Sequence, residues 1–178
     1  EAWYQKALAI EEKHGNEHGT ANTYHQLGVI AQEQRDFESA EGWYKKSLVI
    51  EEKLGNERGV AVTYHQLGRI AQELRDFKSA EGWYQKALAI KEKRGDEHDA
   101  ATTYHQLGVI AQEQRDFKSA EAWYKKSLAI WEGHGNEHYA TATYHQLGVI
   151  AQMQRDFKTA EAWYQKALAI EEKHGNEH

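Results

Sequence analysis

Neither cysteine nor proline occurs anywhere in the 178 residues, and methionine occurs once. Without cysteine there are no disulfides, no thiolate zinc sites and no cysteine nucleophile, which suits a reducing compartment and sets the expectation of a cytoplasmic chain. Without proline, helix ends must be set by other residues, and glycine is left to do the stopping. No apolar run approaches the ~20 residues that span a bilayer and no signal-like start is present, so a soluble chain with no membrane partner is expected. The net charge is −6 with both signs interspersed, which argues against nonspecific binding to nucleic acid. The glutamates and lysines read as solvated faces of helices. No glycine-rich phosphate loop and no Ser-His-Asp order suggesting a triad is found, so no catalytic residue, no cofactor and no enzyme activity are expected.

What the chain has instead is repetition. TYHQLG begins at Thr23, Thr63, Thr103 and Thr143, RDF at Arg35, Arg75, Arg115 and Arg155, and WY at Trp3, Trp43, Trp83, Trp123 and Trp163, always 40 residues apart. Such a period means a solenoid, a propeller or a helical array, and an array is one quasi-linear domain whose function lies on a surface built by repetition. QKAL at Gln5, Gln85 and Gln165 alternates with KKSL at Lys45 and Lys125, so the duplicated block reads as two units long. Residues 1–18 recur unchanged as 161–178, as in a segment cut from a longer array.

The apolar spacing inside a unit is helical. Tyr24, Leu27, Gly28 and Ala31 form one stripe (helix A, expected over 17 to 34). Phe37, Ala40, Tyr44, Ser47 and Leu48 form a second (helix B, 37 to 54), with Trp43 and Ile50 on an adjoining face. Asp36, Asp76, Asp116 and Asp156 are placed to cap the B helices. Gly55-Asn56, with Gly15-Asn16, Gly95-Asp96 and Gly135-Asn136, supplies a left-handed stop and then an N-cap. The expected layout is an unpaired B helix in 1–16, then A plus B pairs in 17–56, 57–96, 97–136 and 137–178, about nine helices in a single domain.

Counted from Ala21 as position one, the unit has Tyr24 at four, Leu27 at seven, Gly28 at eight, Ala40 at twenty and Tyr44 at twenty-four. This pattern resembles the tetratricopeptide repeat, in the longer-helix subclass similar to partner-of-inscuteable adaptors and kinesin light chains. The resemblance implies an all-α fold, a right-handed superhelix (α-solenoid) of antiparallel helix pairs, used for protein binding. Small residues at eight, twenty and twenty-seven would let the helices approach, and twenty-seven is Ala87 and Ala167 but Ser47 and Ser127 here. Ala31 stands where the family usually has an aromatic, and its proline near thirty-two is missing.

In the family, helix A lines the concave side of the superhelix. The A-helix face away from the Tyr24 stripe then carries Asn22, His25, Val29, Gln32 and Glu33, next Val62, His65, Arg69, Gln72 and Glu73, then Thr102, His105, Val109, Gln112 and Glu113, and last Ala142, His145, Val149, Gln152 and Met153. This histidine and glutamine ladder is the expected peptide-binding groove, with Arg69 and Met153 breaking it to give direction or selectivity. An extended peptide rises ~3.3 Å per residue and helices pack roughly 8 to 10 Å apart, so one repeat would meet about three peptide residues. His and Gln bond a peptide backbone whatever its sequence. The other role open to the histidines is to bond an adjacent helix and hold the repeats in register. The family's carboxylate clamp needs lysine and asparagine where this chain has His25 and Val29, so that mode of recognition is not expected.

Two further clusters stand at unit junctions. HGNEH at His14 to His18, His134 to His138 and His174 to His178 spaces histidines as a helical metal pair would, but glycine interrupts the helix and no metal site is expected. Trp131, where other units have Glu or Lys, gathers with His134, His138 and Tyr139, either as extra packing between helices or as a secondary partner patch. The leading expectation is a non-catalytic scaffold for a protein or peptide partner. The rivals are a homo-oligomer stacking head to tail through uncapped terminal helices and, by the resemblance, a sensor arm of a bacterial signalling protein.

Overall fold

A computed structural model describes residues 14–175, with Trp3, Lys6, Ile10 and Glu11 ahead of them. Its elements are eight α-helices, and no strand occurs among the described residues: α1 Glu17–Glu33, α2 Phe37–Lys53, α3 Glu57–Glu73, α4 Phe77–Arg94, α5 Glu97–Glu113, α6 Phe117–Gly133, α7 Glu137–Met153 and α8 Phe157–Gly175. The expected helix bounds hold to within a residue wherever a B helix does not run on into its glycine. The ninth helix, expected from Glu1 to His14, lies largely outside the described residues.

The connections are three residues long, except for the two residues between α4 and α5, and are closed by backbone hydrogen bonds. After α1, Gln34 is the C-cap and Arg35 takes φ 60°. Arg35 N–H donates to Gln32 O and Asp36 N–H to Ala31 O, both at 2.9 Å, the Schellman pattern. Asp36 then caps α2 by accepting from Ser39 N–H at 3.1 Å, so one residue closes the first helix and opens the second. Asp76, Asp116 and Asp156 repeat the cap. Glycine fills the left-handed position after the B helices as expected, at Gly15, Gly55, Gly95 and Gly135, but after the A helices it is held by Arg35, Arg75, Arg115 and Arg155. Asp96 departs from the expected cap: its carboxylate accepts Arg94 Nε at 2.8 Å and makes no side-chain cap bond.

A left-handed L-residue costs about 1–2 kcal/mol, against roughly 0.5–1 kcal/mol of extra chain entropy for glycine. Arg155→Gly is therefore expected to raise stability by about 0.5–1 kcal/mol and Gly135→Ala, whose Cβ would meet nothing, to lower it by about 1–2 kcal/mol. Urea unfolding midpoints of the two variants check the opposite signs.

The chain forms two compact units, Glu1–Lys91 and Glu92–His178. In the first, α1 packs on α2 and α2 on α3; in the second, α5 packs on α6, α6 on α7 and α7 on α8. Each A and B pair closes on a glycine. A Cβ at Gly28 would lie 2.7 Å from the Tyr44 ring, and at Gly68, Gly108 and Gly148 it would come within 2.8, 2.6 and 2.5 Å of Tyr84, Tyr124 and Tyr164. Around this contact the first unit buries Ala31, Ala40, Tyr44, Leu48, Val60, Leu67 and Ile70. The second buries Ala111, Ala120, Tyr124, Leu128, Trp131, Leu147 and Ile150. Ser47 and Ser127 are fully buried without loss, because each hydroxyl donates to a helix A carbonyl, Ala21 O at 2.8 Å and Ala101 O at 2.9 Å.

One sequence expectation fails here. Glu51 and Lys91 are buried, 7% and 6% exposed, not solvated. Glu51 is accommodated because Thr63 Oγ1 donates to its carboxylate at 2.9 Å and because Gly59 opposite has no side chain.

Candidate functional site

The ladder residues all stand on A helices, α1, α3, α5 and α7, but half of their bonding capacity is turned inward. In each repeat the histidine ring lies against the helix B tyrosine: His25 on Tyr44, His65 on Tyr84 and His105 on Tyr124 with centroids 5.1 Å apart, His145 on Tyr164 at 5.9 Å. The same tyrosine hydroxyl donates to the glutamine carbonyl: Tyr44 to Gln32 at 3.1 Å, Tyr84 to Gln72 at 2.9 Å, Tyr124 to Gln112 at 2.9 Å and Tyr164 to Gln152 at 3.2 Å. Burial pushes the Tyr44 phenol up to about 12, so it remains a donor. Histidine, glycine and glutamine at spacings of three and four thus clamp one ring, and what glutamine keeps for a partner is its NH2, two donors.

Three of the ladder histidines, His25, His65 and His105, are held neutral at physiological pH. Burial lowers His25 and His105. Burial, with like charge from Lys91 and Arg69, pushes His65 down to about 3, and its Nδ1 is buried with no hydrogen-bond partner. His25 Nδ1 is 3.5 Å from Thr63 Oγ1. His145, by contrast, is exposed and pairs with Glu171 at 3.1 Å.

A histidine that charges in the unfolded chain near pH 6.5 but resists charging in the fold until about 3 makes unfolding take up a proton in between. Stability is therefore full above about pH 6.5 and falls as the pH drops, by up to roughly 1.4 kcal/mol per pH unit for one such group. Glu51, raised by burial, opposes this, but only within the carboxylate range. Urea midpoints between about pH 7.5 and about pH 5 are expected to fall, and His65→Gln to flatten the slope.

Val29, Val109 and Val149 are half-buried between these clamps, while Arg69 at the equivalent position is exposed. Arg69 reaches into a cleft of about 280 Å³ with Val29, Gln32, Phe37, Gln66 and Glu73 on its walls, where its Nη1 donates to Gln66 Oε1 at 3.4 Å. Met153 is 48% exposed.

The junction cluster resolves into a core member and a surface. Trp131 is 2% exposed and stacks on Tyr139 at 4.7 Å, while Tyr139 is 44% exposed. His98, which sequence reasoning left out of the cluster, sets its ring edge-on to Trp131 at 4.8 Å, and His138 packs on Tyr139 at 5.4 Å. His134 turns away to bond Glu97 at 2.7 Å, and His174 bonds Glu137 at 2.6 Å. Among the described residues no group of three or more His, Asp or Glu side chains is placed to hold a metal ion. The Trp43-type tryptophans pack within their own helix pair: Trp43 stacks on Tyr24 at 5.7 Å beneath Lys46 Nζ at 4.3 Å, and Trp83, Trp123 and Trp163 repeat this.

Antiparallel helix pairs closed on a glycine and tyrosine contact, repeated every 40 residues, define an α-helical repeat protein. The tetratricopeptide repeat (TPR) profile matches residues 1–53, 43–93 and 99–173, and the chain belongs to that family. No curated protein matches it by sequence. Among solved structures it is similar to BtubC (BKLC) from P. vanneervenii, at 25% identity and TM-score 0.90, over 99% of this chain and 74% of that one. It is also similar to the nearly identical TPR-like repeats from Podosopora anserina named after kinesin light chain, at 20% identity and TM-score 0.78, over 96% of this chain and 85% of that one. A third likeness is to the STAND protein PH0952 from Pyrococcus horikoshii, which has a TPR sensor, at 19% identity and TM-score 0.80, over 86% of this chain and 24% of that one. The chain is a TPR scaffold of the kind used for protein interaction, and no helix among its described residues is long and apolar enough to cross a membrane.

Proposed function

We propose that the A-helix face binds an extended segment of a protein partner, with no chemistry done on it. The supporting observation is the recurrence of one geometry: in each repeat a histidine ring and a glutamine amide are fixed by the same tyrosine on either side of one position, valine in three repeats and Arg69 in the other. Donors held rigidly in this way meet a peptide backbone without paying for their own ordering, and they do so at the pitch of the repeat. Arg69 interrupts the apolar line with a cation over a cleft that Glu33, Arg35 and Glu73 also line, with Arg35 paired to Glu73 at 3.8 Å, and this favours a partner with an acidic residue at the Arg69 register. Selection from a random-peptide display library is expected to enrich extended sequences with one acidic residue, and Arg69→Glu to abolish their binding at unchanged helicity. Enrichment of nothing, or of peptides that bind Arg69→Glu equally, would sink this reading.

One observation favours a second reading, self-association through the last helix. Leu168 is 50% exposed and Phe157 65%, whereas Leu48 and Leu128, at the position of Leu168 in α2 and α6, are 8% and 5% exposed under the following A helix. The rival predicts a mass that rises with concentration in light scattering; a constant 20.5 kDa excludes it. The likeness to PH0952 motivates a sensor-arm role of the same binding surface, but the chain spans only 24% of that protein.

A further inference from the structure

The junction where a B helix meets the next A helix is not built alike along the chain. Between α2 and α3, Glu51 faces Gly59: a Cβ on Gly59 would lie 2.3 Å from Glu51 Oε1, and the carboxylate accepts Thr63 Oγ1 at 2.9 Å. Ahead of α1 the arrangement recurs, with Glu11 Oε1 2.7 Å from a Cβ on Gly19 and Thr23 Oγ1 donating to Glu11 at 2.8 Å. Between α6 and α7 the same two positions hold Trp131 and Tyr139, stacked at 4.7 Å and 21°. There the threonine equivalent to Thr63 has turned round, and Thr143 Oγ1 donates to Tyr139 O of its own helix at 2.8 Å. In the sequence the remaining junction carries Lys91 and Asp99 at these positions, and Thr103 Oγ1 likewise bonds its own helix, to Asp99 O at 2.9 Å.

Two chemistries therefore face each other at one pair of positions: carboxylate with glycine, and indole with phenol. Their halves exchange only at a cost. A tyrosine at 59 displaces the Glu51 carboxylate from its bond with Thr63, and a carboxylate at 131 is buried against a ring with no hydroxyl turned towards it. Elsewhere the docking faces are nearly alike from repeat to repeat, tyrosine, leucine and small residues, apart from Thr20, Val60, Ala100 and Ala140 at one position and the serine and alanine alternation at 47, 87, 127 and 167, so they distinguish one neighbour from another only weakly. A chain of near-identical units has many wrong pairings of nearly equal quality, within itself and with a second copy.

We propose that positions 51/59 and 131/139 are a pairing key: they decide which A helix a given B helix accepts, and they disfavour exchange of helices with a second copy of this chain. The test uses the full chain and three variants, Trp131→Glu, Tyr139→Gly and the double variant, which rebuilds the Glu51, Gly59, Thr63 arrangement with Thr143 as donor. Each single variant is expected to lower the urea midpoint, and the double variant to lose less than half the sum of the two single losses. Additive losses, or a double variant that does not fold, overturn the proposal. The second readout separates a key from ordinary packing. Wild type and double variant are refolded from denaturant at rising concentration and their masses compared by light scattering after gel filtration. The double variant, now with a junction interchangeable with that at 51/59, is expected to show a larger share of helix-exchanged oligomers. An unchanged distribution overturns the pairing role even if the midpoints are coupled.

Discussion

Tyr84→Ala is expected to cost about 3–5 kcal/mol, the range for deleting a buried aromatic side chain. The ring has no exposed surface, and it is the shared partner of three groups from α3: the Gly68 backbone beneath it, the His65 ring beside it and the Gln72 carbonyl on its hydroxyl. Truncation leaves a void over glycine, which has no side chain to collapse into it, and strips two polar groups of their contact. Tyr84→Phe separates the terms, since it keeps the ring and loses only the bond to Gln72, at about 1 kcal/mol. Urea unfolding of the two variants checks the ratio; equal losses would mean that the hydroxyl, not the ring, holds the helices together.

The complementary change, Gly68→Val, is expected to lose about 3 kcal/mol, the upper end of the overpacking range. A Cβ there falls 2.8 Å from Tyr84 Cδ1, and the ring cannot swing aside while His65 and Gln72 flank it. The helices must separate instead, which loosens the whole pair. If the cause is this collision, Gly68→Val in a Tyr84→Ala background costs much less than in the wild type, a coupling that a double-mutant cycle reads directly. Equal costs in both backgrounds would place the effect in the helix backbone.

The scaffold was legible in the sequence because its determinants are local or periodic. Asp36 and its copies announce the B helices through a side chain that reaches three residues ahead, and Gly55 announces the end of one through its freedom at positive φ. The Gly28 and Tyr44 pair was legible only through the family pattern, since nothing in the spacing says which tyrosine a glycine will meet. What stayed hidden concerns direction and partners across helices. Arg35 carries no mark of a left-handed residue; the Schellman bonds impose that conformation on it. His25 and Gln32 sit on the polar side of the A-helix stripe; Gln32 read as a groove residue, and His25 as either that or a bond to an adjacent helix. Their spacing of seven around Gly28 was the available sign that they grip what packs on that glycine. Glu51 read as solvated because a charge on a helix nearly always is, and its burial depends on Thr63 twelve residues on and on the missing side chain of Gly59.

The three-residue connections have a consequence for how such a chain can change in length. Asp36 holds the Ala31 carbonyl of α1 with its amide and the Ser39 amide of α2 with its carboxylate, so there is no slack segment in which an extra residue could be absorbed. A single insertion or deletion there breaks two helix ends at once, and one inside a helix rotates every later residue of it by about 100° off its face. The gene can therefore grow or shrink tolerably only by whole units. That is a mode of variation in which copy number changes freely while the frame of each copy stays fixed, and it leaves substitution, at exposed positions such as Arg69 and at buried ones such as Glu51 and Trp131, as the route by which one unit comes to differ from the next.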